Sequence, residues 1–305
     1  MKNLTWQNPE QLFVAQELIN KVKSKCCGIK DILPLSTQIH EEQLIRRCMQ
    51  KRQKNRKLYF EELSITSRKY YIPYISKFKR IEKGMNILEI GCGDGGNLLP
   101  FAELGCSTTG VDISTGRIKD AILFFEERQI KGNFIASDIF KLKSLEHNFD
   151  LIICHDVIEH IEDKATFLSN LPKYTKPGGL IFMSFPAWQM PFGGHQQICK
   201  SKTISHFPFI HLLPASMYKA ILKMSGENEG CIKELLSIKE TRTPIELFER
   251  LARKNHITVV ARKLFFINPH YEIKFGLKPR KLSAIIAGIP YLRNFFTTSC
   301  FYILQ

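Results

Sequence analysis

Three small groups of residues have the types and spacing to do chemistry. The first is ILEIGCGDGGNL (87–98), where Glu89 precedes Gly91, Gly93 and Gly95, with Gly96 adjacent. Glycine lets a ligand approach the main chain because no Cβ stands in the way. Turns that hold a dinucleotide pyrophosphate space their glycines as GxGxxG. Here the spacing is GxGxG, and a carboxylate at Glu89 repels a pyrophosphate while suiting a ligand with an ammonium group. The second group is Asp112 in GVDIS and Asp138 in ASDI, each closing an apolar run. Either acid alone could equally cap a helix. The third is His155-Asp156-Val-Ile-Glu159-His160, whose carboxylates and imidazoles suit removal of a proton from a hydroxyl.

Such residues need a scaffold that brings them to one crevice. NILEIG (86–91), CSTTGVDI (106–113), NFIASDI (133–139), FDLIICHD (149–156) and LIFMSFP (180–186) read as buried strands. Helices are expected from Gly95 to Gly105, Ser114 to Arg128 and Val157 to Thr175, with KPGG (176–179) as a turn. Strands and helices alternating at this spacing predict a parallel sheet covered on both faces. Ligands of such sheets lie outside the carboxyl ends of the strands. Glu89, the three glycines, Asp112, Asp138 and His155 all fall there.

The remaining chain divides around this core, which spans 84–186. Residues 1–83 read as a basic helical extension, clearest over Glu41–Leu63 and Ser67–Arg80. Residues 187–242 read as an inserted cap. Over 243–305 come a helix in TPIELFERLARKN (243–255) and two strands, ITVVARKLFFI (257–267) and NFFTTSCFYIL (294–304). Thr243 is the expected N-cap of that helix and Glu246 the second half of a capping box.

The stretch from Glu89 to Gly95 resembles the first motif of class I S-adenosylmethionine-dependent methyltransferases. The resemblance is close over roughly 84–186 and loose over the last two strands. It implies an α/β fold: a Rossmann-like, mostly parallel seven-stranded sheet with helices on both faces. Its seventh strand would run antiparallel between the fifth and sixth. It also implies that Asp112 holds the ribose hydroxyls of S-adenosylmethionine and that Asp138 and Ile139 flank the adenine. Cys92, Ile113 and His155 complete the expected cofactor wall.

Methyl transfer from a sulfonium needs alignment and, for a hydroxyl acceptor, a base. Glu159, His160 and His195 are the expected catalytic residues. The spacing places Asp156, Glu159 and His160 on one helix face, although Asp156 and Glu159 could instead form a capping box. The segment is also similar to the ExxEH arrangement of some small-RNA and quinone-precursor methyltransferases, with Asp156 in place of the first Glu. With His195 added, Asp156, Glu159 and His160 make a candidate site for Mg or Mn, since mixed N/O donors suit hard cations. PAWQMPFGGHQQ (186–197) is expected to overhang the site as a lid, with Gly193-Gly194 as its hinge and His206 or His211 as alternative bases.

Charge and cysteine usage narrow the class. Residues 1–83 hold 18 Lys and Arg against 8 Asp and Glu, residues 84–186 hold 9 against 14, and residues 187–305 hold 17 against 7. An acidic core between basic flanks suits an anionic partner, or simply solvated helix faces. Nine cysteines without a CxxC pair argue against a disulfide framework and for a reducing cytoplasm. Neither a secretory leader nor a transmembrane segment is expected. The leading reading is O-methylation of a small-molecule, sugar or lipid-like acceptor. RNA methylation is second, and a non-catalytic nucleotide-binding module or an NAD-dependent oxidoreductase are the other classes. DNA base methylation is disfavoured because no NPPY-like motif follows the fourth strand.

Overall fold

The computed structural model describes residues 55–305; the expected helix before Asn55 and the first part of KRQKNRK (51–57) lie outside the described residues. The strands are β1 Asn86–Ile90, β2 Ser107–Asp112, β3 Asn133–Ala136, β4 Phe149–His155, β5 Thr175–Phe185, β6 Val259–Ile267, β7 Arg280–Lys281 and β8 Ser299–Leu304. They form one sheet in the order β3-β2-β1-β4-β5-β8-β6-β7. β3 through β5 pair in parallel, and β8 runs antiparallel to both β5 and β6. The sheet therefore has the expected frame, with a two-residue eighth strand added at one edge.

Side-chain alternation sorts the strands onto two cores. Leu88, Ile90, Ile152, Cys154, Ile181 and Met183 meet Phe248 and Ala252 of the Ile245–Lys254 helix. Ile87, Leu151, Ile153 and Phe182 meet Phe60, Tyr71 and Tyr74 from the helical stretch Arg56–Ile75. Residues 187–242 carry a smaller cluster of their own, which includes Cys199, Ile204, Tyr218, Leu222, Ile232 and Leu235. No helix among the described residues is long and apolar enough to cross a membrane.

Several local expectations are corrected. The stretch after β4 is not one helix but a 3-10 turn, Ile158–His160, followed by the Lys164–Asn170 helix. Asp163 caps that helix by accepting the Thr166 amide, so Asp156 is no cap. Asp156 instead has φ +52 and donates its amide to the Ser184 carbonyl at 2.8 Å. KPGG lies within β5, where the register to β4 shifts between Phe149 and Leu151. The first helix after the glycines is shorter than expected, Leu99–Glu103. The last strand is preceded by a helix over Leu292–Phe296.

The capping box at Thr243 is also absent, because tertiary partners take both side chains. Thr243 Oγ1 donates to the Ile158 carbonyl, and Glu246 accepts from Asn294 and Arg293.

Candidate active site

The turn after β1 shows why glycine stands where it does. Gly91, Gly93 and Gly95 have φ of +71, +52 and +83, conformations that a side chain disfavours. A Cβ on Gly91 would also lie 2.3 Å from Val157 Cγ2. The turn is pinned from β2: Asp112 accepts the Gly93 amide at 2.9 Å and the Ser114 amide at 2.8 Å. Ser114, rather than Asp112, caps the Thr115–Glu127 helix.

Glu89 lies beneath the turn, buried, with one oxygen accepting from Asn97 at 2.7 Å and the other without a partner. Burial pushes its carboxyl up to about 8, against the pull of the Asn97 bond. An orphaned buried acceptor beside a glycine turn is the feature a ligand ammonium would complete. Asp94 is buried too, with Arg117 3.5 Å away, and the Arg117 guanidinium lies over Gly93. Sequence reasoning passed over Asp94 and Arg117; an acid inside the glycine run was the available signal.

The other expected cofactor residues scatter more. Asp138 accepts the Phe140 amide and so caps a 3-10 turn, with Ile139 buried behind it. Ile113 is largely exposed, and Cys92 is buried beneath the turn. His155 is buried, with Nε2 3.2 Å from the Tyr71 hydroxyl and 3.4 Å from Asp156.

In the segments that follow β4 and β5, the fold brings Glu159, His160 and His195 together. One ligating atom from each lies within 4.8 Å of the others, and Asp156 is not part of the group. Glu159 is buried with neither carboxylate oxygen partnered, and its carboxyl is held well above the usual range by burial and then by the charge of Asp156. The two imidazoles sit edge to face with centroids 5.3 Å apart. Burial lowers the His160 ring, and burial together with His160 pushes His195 down to about 4. Both rings are therefore neutral at neutral pH, free to accept a proton or to ligate.

Aromatic groups that sequence reasoning did not select lie within reach of the Asp156 charge. Its charge acts on Tyr59, Tyr71 and Tyr271, and burial raises all three phenols, Tyr271 to about 12. These come from the Arg56–Thr66 helix, the turn after it and the His270–Phe275 helix, more than 80 residues from Asp156 in either direction for the nearest pair.

The loop after β5 is packed. Trp188 and Met190 are buried, and Trp188 meets His211 edge-on at 4.6 Å. His211 Nε2 donates to the Trp188 carbonyl at 2.9 Å, which leaves Nδ1 buried without a partner. A Cβ on Gly193 would lie 2.1 Å from the Trp188 carbonyl oxygen, and one on Gly194 2.2 Å from His211 Cβ. These glycines permit close packing of the loop against Trp188 and His211. His206 sits beside the Ser205 hydroxyl at 2.8 Å.

Residues 81–255 match a family model described as a methyltransferase domain. The chain is similar to a ubiquinone biosynthesis O-methyltransferase of Rickettsia canadensis, 36% identical over 109 residues, which are 36% of this chain and 45% of that protein. A ubiquinone biosynthesis O-methyltransferase of Coxiella burnetii is 35% identical over 102 residues, 33% of this chain and 44% of that one. The chain thus spans less than half the length of these relatives. Among solved structures, a sarcosine dimethylglycine methyltransferase (so described, as putative) from Galdieria sulphuraria aligns over 79% of this chain and 85% of that one. Its TM-score is 0.52 at 13% identity, a likeness of fold.

Proposed function

The chain belongs to the methyltransferase-domain family as a class I S-adenosylmethionine-dependent enzyme, and on that premise we propose that it methylates a hydroxyl of a small-molecule, sugar or lipid-like acceptor. One observation carries this reading: beyond the ends of β4 and β5 an orphaned carboxyl and two neutral imidazoles, Glu159, His160 and His195, stand together. A sulfonium methyl is already activated, so the protein has to align acceptor, methyl and sulfur and take one proton. The similar proteins named for O-methylation in ubiquinone biosynthesis support a hydroxyl acceptor.

In this reading the turn Gly91–Gly95 and Cys92 seat the methionine end, with Glu89 facing its ammonium. Asp112 holds the ribose through lone pairs that its two amide bonds leave over. Asp138, Ile113 and Ile139 border the adenine, and His155 closes the floor. His160 or His195 accepts the acceptor's proton, and Tyr59, Tyr71 and Tyr271 wall the acceptor site with residues 187–242 as its cap.

A divalent cation such as Mg or Mn fits the same trio. Two unpartnered carboxylate oxygens and two neutral imidazoles are donors a cation can use without first displacing a proton from histidine. When bound, such a cation supplies charge that makes a nearby hydroxyl more acidic. Glu159, His160 and His195 would hold it, with Asp156 outside the set. Six free cysteines among the described residues support a reducing, cytoplasmic setting.

The test is calorimetric titration with S-adenosylmethionine, S-adenosylhomocysteine and NAD, followed by methyl transfer to phenolic, sugar and prenylated hydroxyl acceptors. Micromolar binding of the two sulfur compounds and methyl ether formation are expected. NAD binding instead, or methylation of nitrogen alone, would overturn the reading.

A further inference from the structure

The C-terminal part of the chain turns an apolar surface outward. The short helices Ala284–Gly288 and Leu292–Phe296, with the turn between them, expose Ile285, Ile289, Tyr291, Leu292, Phe295 and Phe296. Ile285 is 79% exposed and Tyr291 68%. Single exposed apolar residues are common on a monomer, but a run of six is not. The patch continues onto the insertion, since the exposed Phe209 ring lies 6.3 Å from that of Phe295.

The backbone is strained at the tip that presents it. Tyr291 has φ +63 and ψ −44, and the Leu292 amide donates to the Pro290 carbonyl at 2.7 Å, which makes Tyr291 the centre of a γ-turn of the disfavoured hand. Glu246 braces this turn by accepting the Tyr291 amide at 2.8 Å and the Asn294 side chain at 2.6 Å. A bulky aromatic held in such a conformation gains no burial in return, and strain of that kind marks a functional position. Phe209 shares the feature, with φ +65.

The segments that carry the patch are themselves free of acids. After Glu272 the chain contains no acidic residue, while Lys274, Lys278, Arg280, Lys281 and Arg293 follow. No acidic residue occurs between Lys164 and Gly226 either, the span that contains Phe209. Arg293 is engaged internally with Glu246 and Glu249. Lys263 lies close enough to Lys281 and Lys77 for each of them to act on its charge. Apolar side chains beside exposed cations, with Glu246 and Glu249 already paired to Arg293, match a surface that is itself apolar inside and anionic outside.

We infer that this hairpin docks the protein on an anionic lipid bilayer. Ile285, Tyr291, Phe295 and their neighbours enter the boundary between head groups and acyl chains, and Lys278, Arg280 and Lys281 meet the phosphates. The patch is tied to the site: the Phe209 amide donates to the Pro191 carbonyl at 2.7 Å, four residues before His195. Docking therefore presents the His195 loop toward the bilayer. The inference stands whichever acceptor the enzyme uses.

The full chain is sedimented with vesicles of phosphatidylcholine alone and of phosphatidylcholine with phosphatidylglycerol. It is expected to bind the anionic vesicles and to be released when salt rises to about 0.5 M, where charges act over only a few ångströms. The double variant I285S/Y291N is expected to partition about tenfold less or lower. Asn tolerates positive φ, so this change eases the turn rather than breaking it. If that variant loses its melting transition, Lys278→Glu with Lys281→Glu tests the same surface from its charge. No sedimentation of wild type at low salt, or equal binding by the variants, overturns the inference. A wild-type dimer that dissociates in I285S/Y291N also overturns it, since the patch would then serve a second copy of the chain.

Discussion

The Gly93 amide donates to the Asp112 carboxylate at 2.9 Å, so the turn after β1 is anchored to the acid that closes β2. The second Asp112 oxygen accepts from Ser114, and both oxygens keep a lone pair for a ligand. Asp112→Ala is expected to weaken S-adenosylmethionine binding by about 1–3 kcal/mol through lost charge-assisted bonds. Calorimetry checks this, and an unchanged affinity would remove Asp112 from the site.

Gly91→Ala is expected to destabilise the fold by about 2–4 kcal/mol. It adds left-handed strain of about 1–2 kcal/mol to an overlap with Val157, where a Cβ would lie 2.3 Å from Cγ2. Gly84→Ala is the control: φ is +85 but nothing lies within 4 Å of its Cβ position, so strain acts alone. Urea denaturation of both variants separates the contributions, and equal losses would show that Val157 simply moves aside.

Glu89 should exchange a proton when the cofactor binds. Burial pushes its carboxyl up to about 8, so it is mostly protonated in the free protein at pH 7, and an arriving ammonium favours the ionised form. Binding heats measured in two buffers of different ionisation enthalpy should differ by proton release. The same shift predicts stability that is present at low pH and lost as pH rises from about 4.5 through about 8. Glu89→Gln should remove both effects; buffer-independent heats would place the ammonium elsewhere.

His195 carries the opposite sign. Its folded value is near 4 against an ordinary 6.5, so its contribution to stability is present above 6.5 and is lost as pH falls toward 4. His211, buried at about 4, adds to the same acid loss. The melting temperature of wild type should fall across that window and that of His195→Gln less steeply. Parallel curves would mean that the His195 ring is not desolvated in solution.

His160→Ala and His195→Ala should each reduce kcat, by about 100-fold or more for the one that takes the proton. A chelator distinguishes the two roles of the trio. Activity lost with chelator and restored by Mn assigns Glu159, His160 and His195 to a cation, while indifference to chelator leaves them as proton acceptors alone.

Much of the cofactor half was legible in the chain. Its elements are local: a strand of apolar residues, a glycine run that only positive φ explains, and acids at strand ends. Asp138 caps a 3-10 turn, as an acid at a strand end can, and Ile113 is largely exposed, a degree of burial that neighbours in sequence do not report. The helix expected from Val157 failed for a similar reason. Asp163 is the better cap, and the amide of Asp156 is held by the Ser184 carbonyl of β5.

By itself the sequence determined the parallel sheet, the glycine turn and the family, since hydrophobic period and glycine spacing act over a few residues. Only the tertiary structure decided how the distant segments meet. It brought His195 to His160 across 35 positions, put Tyr59, Tyr71 and Tyr271 within reach of the Asp156 charge, and packed Gly193-Gly194 against Trp188 and His211. It also left Tyr291 strained and exposed at the far end of the chain. Contacts between distant segments form where burying apolar surface repays the entropy of closing long loops, and no spacing in the sequence records that balance.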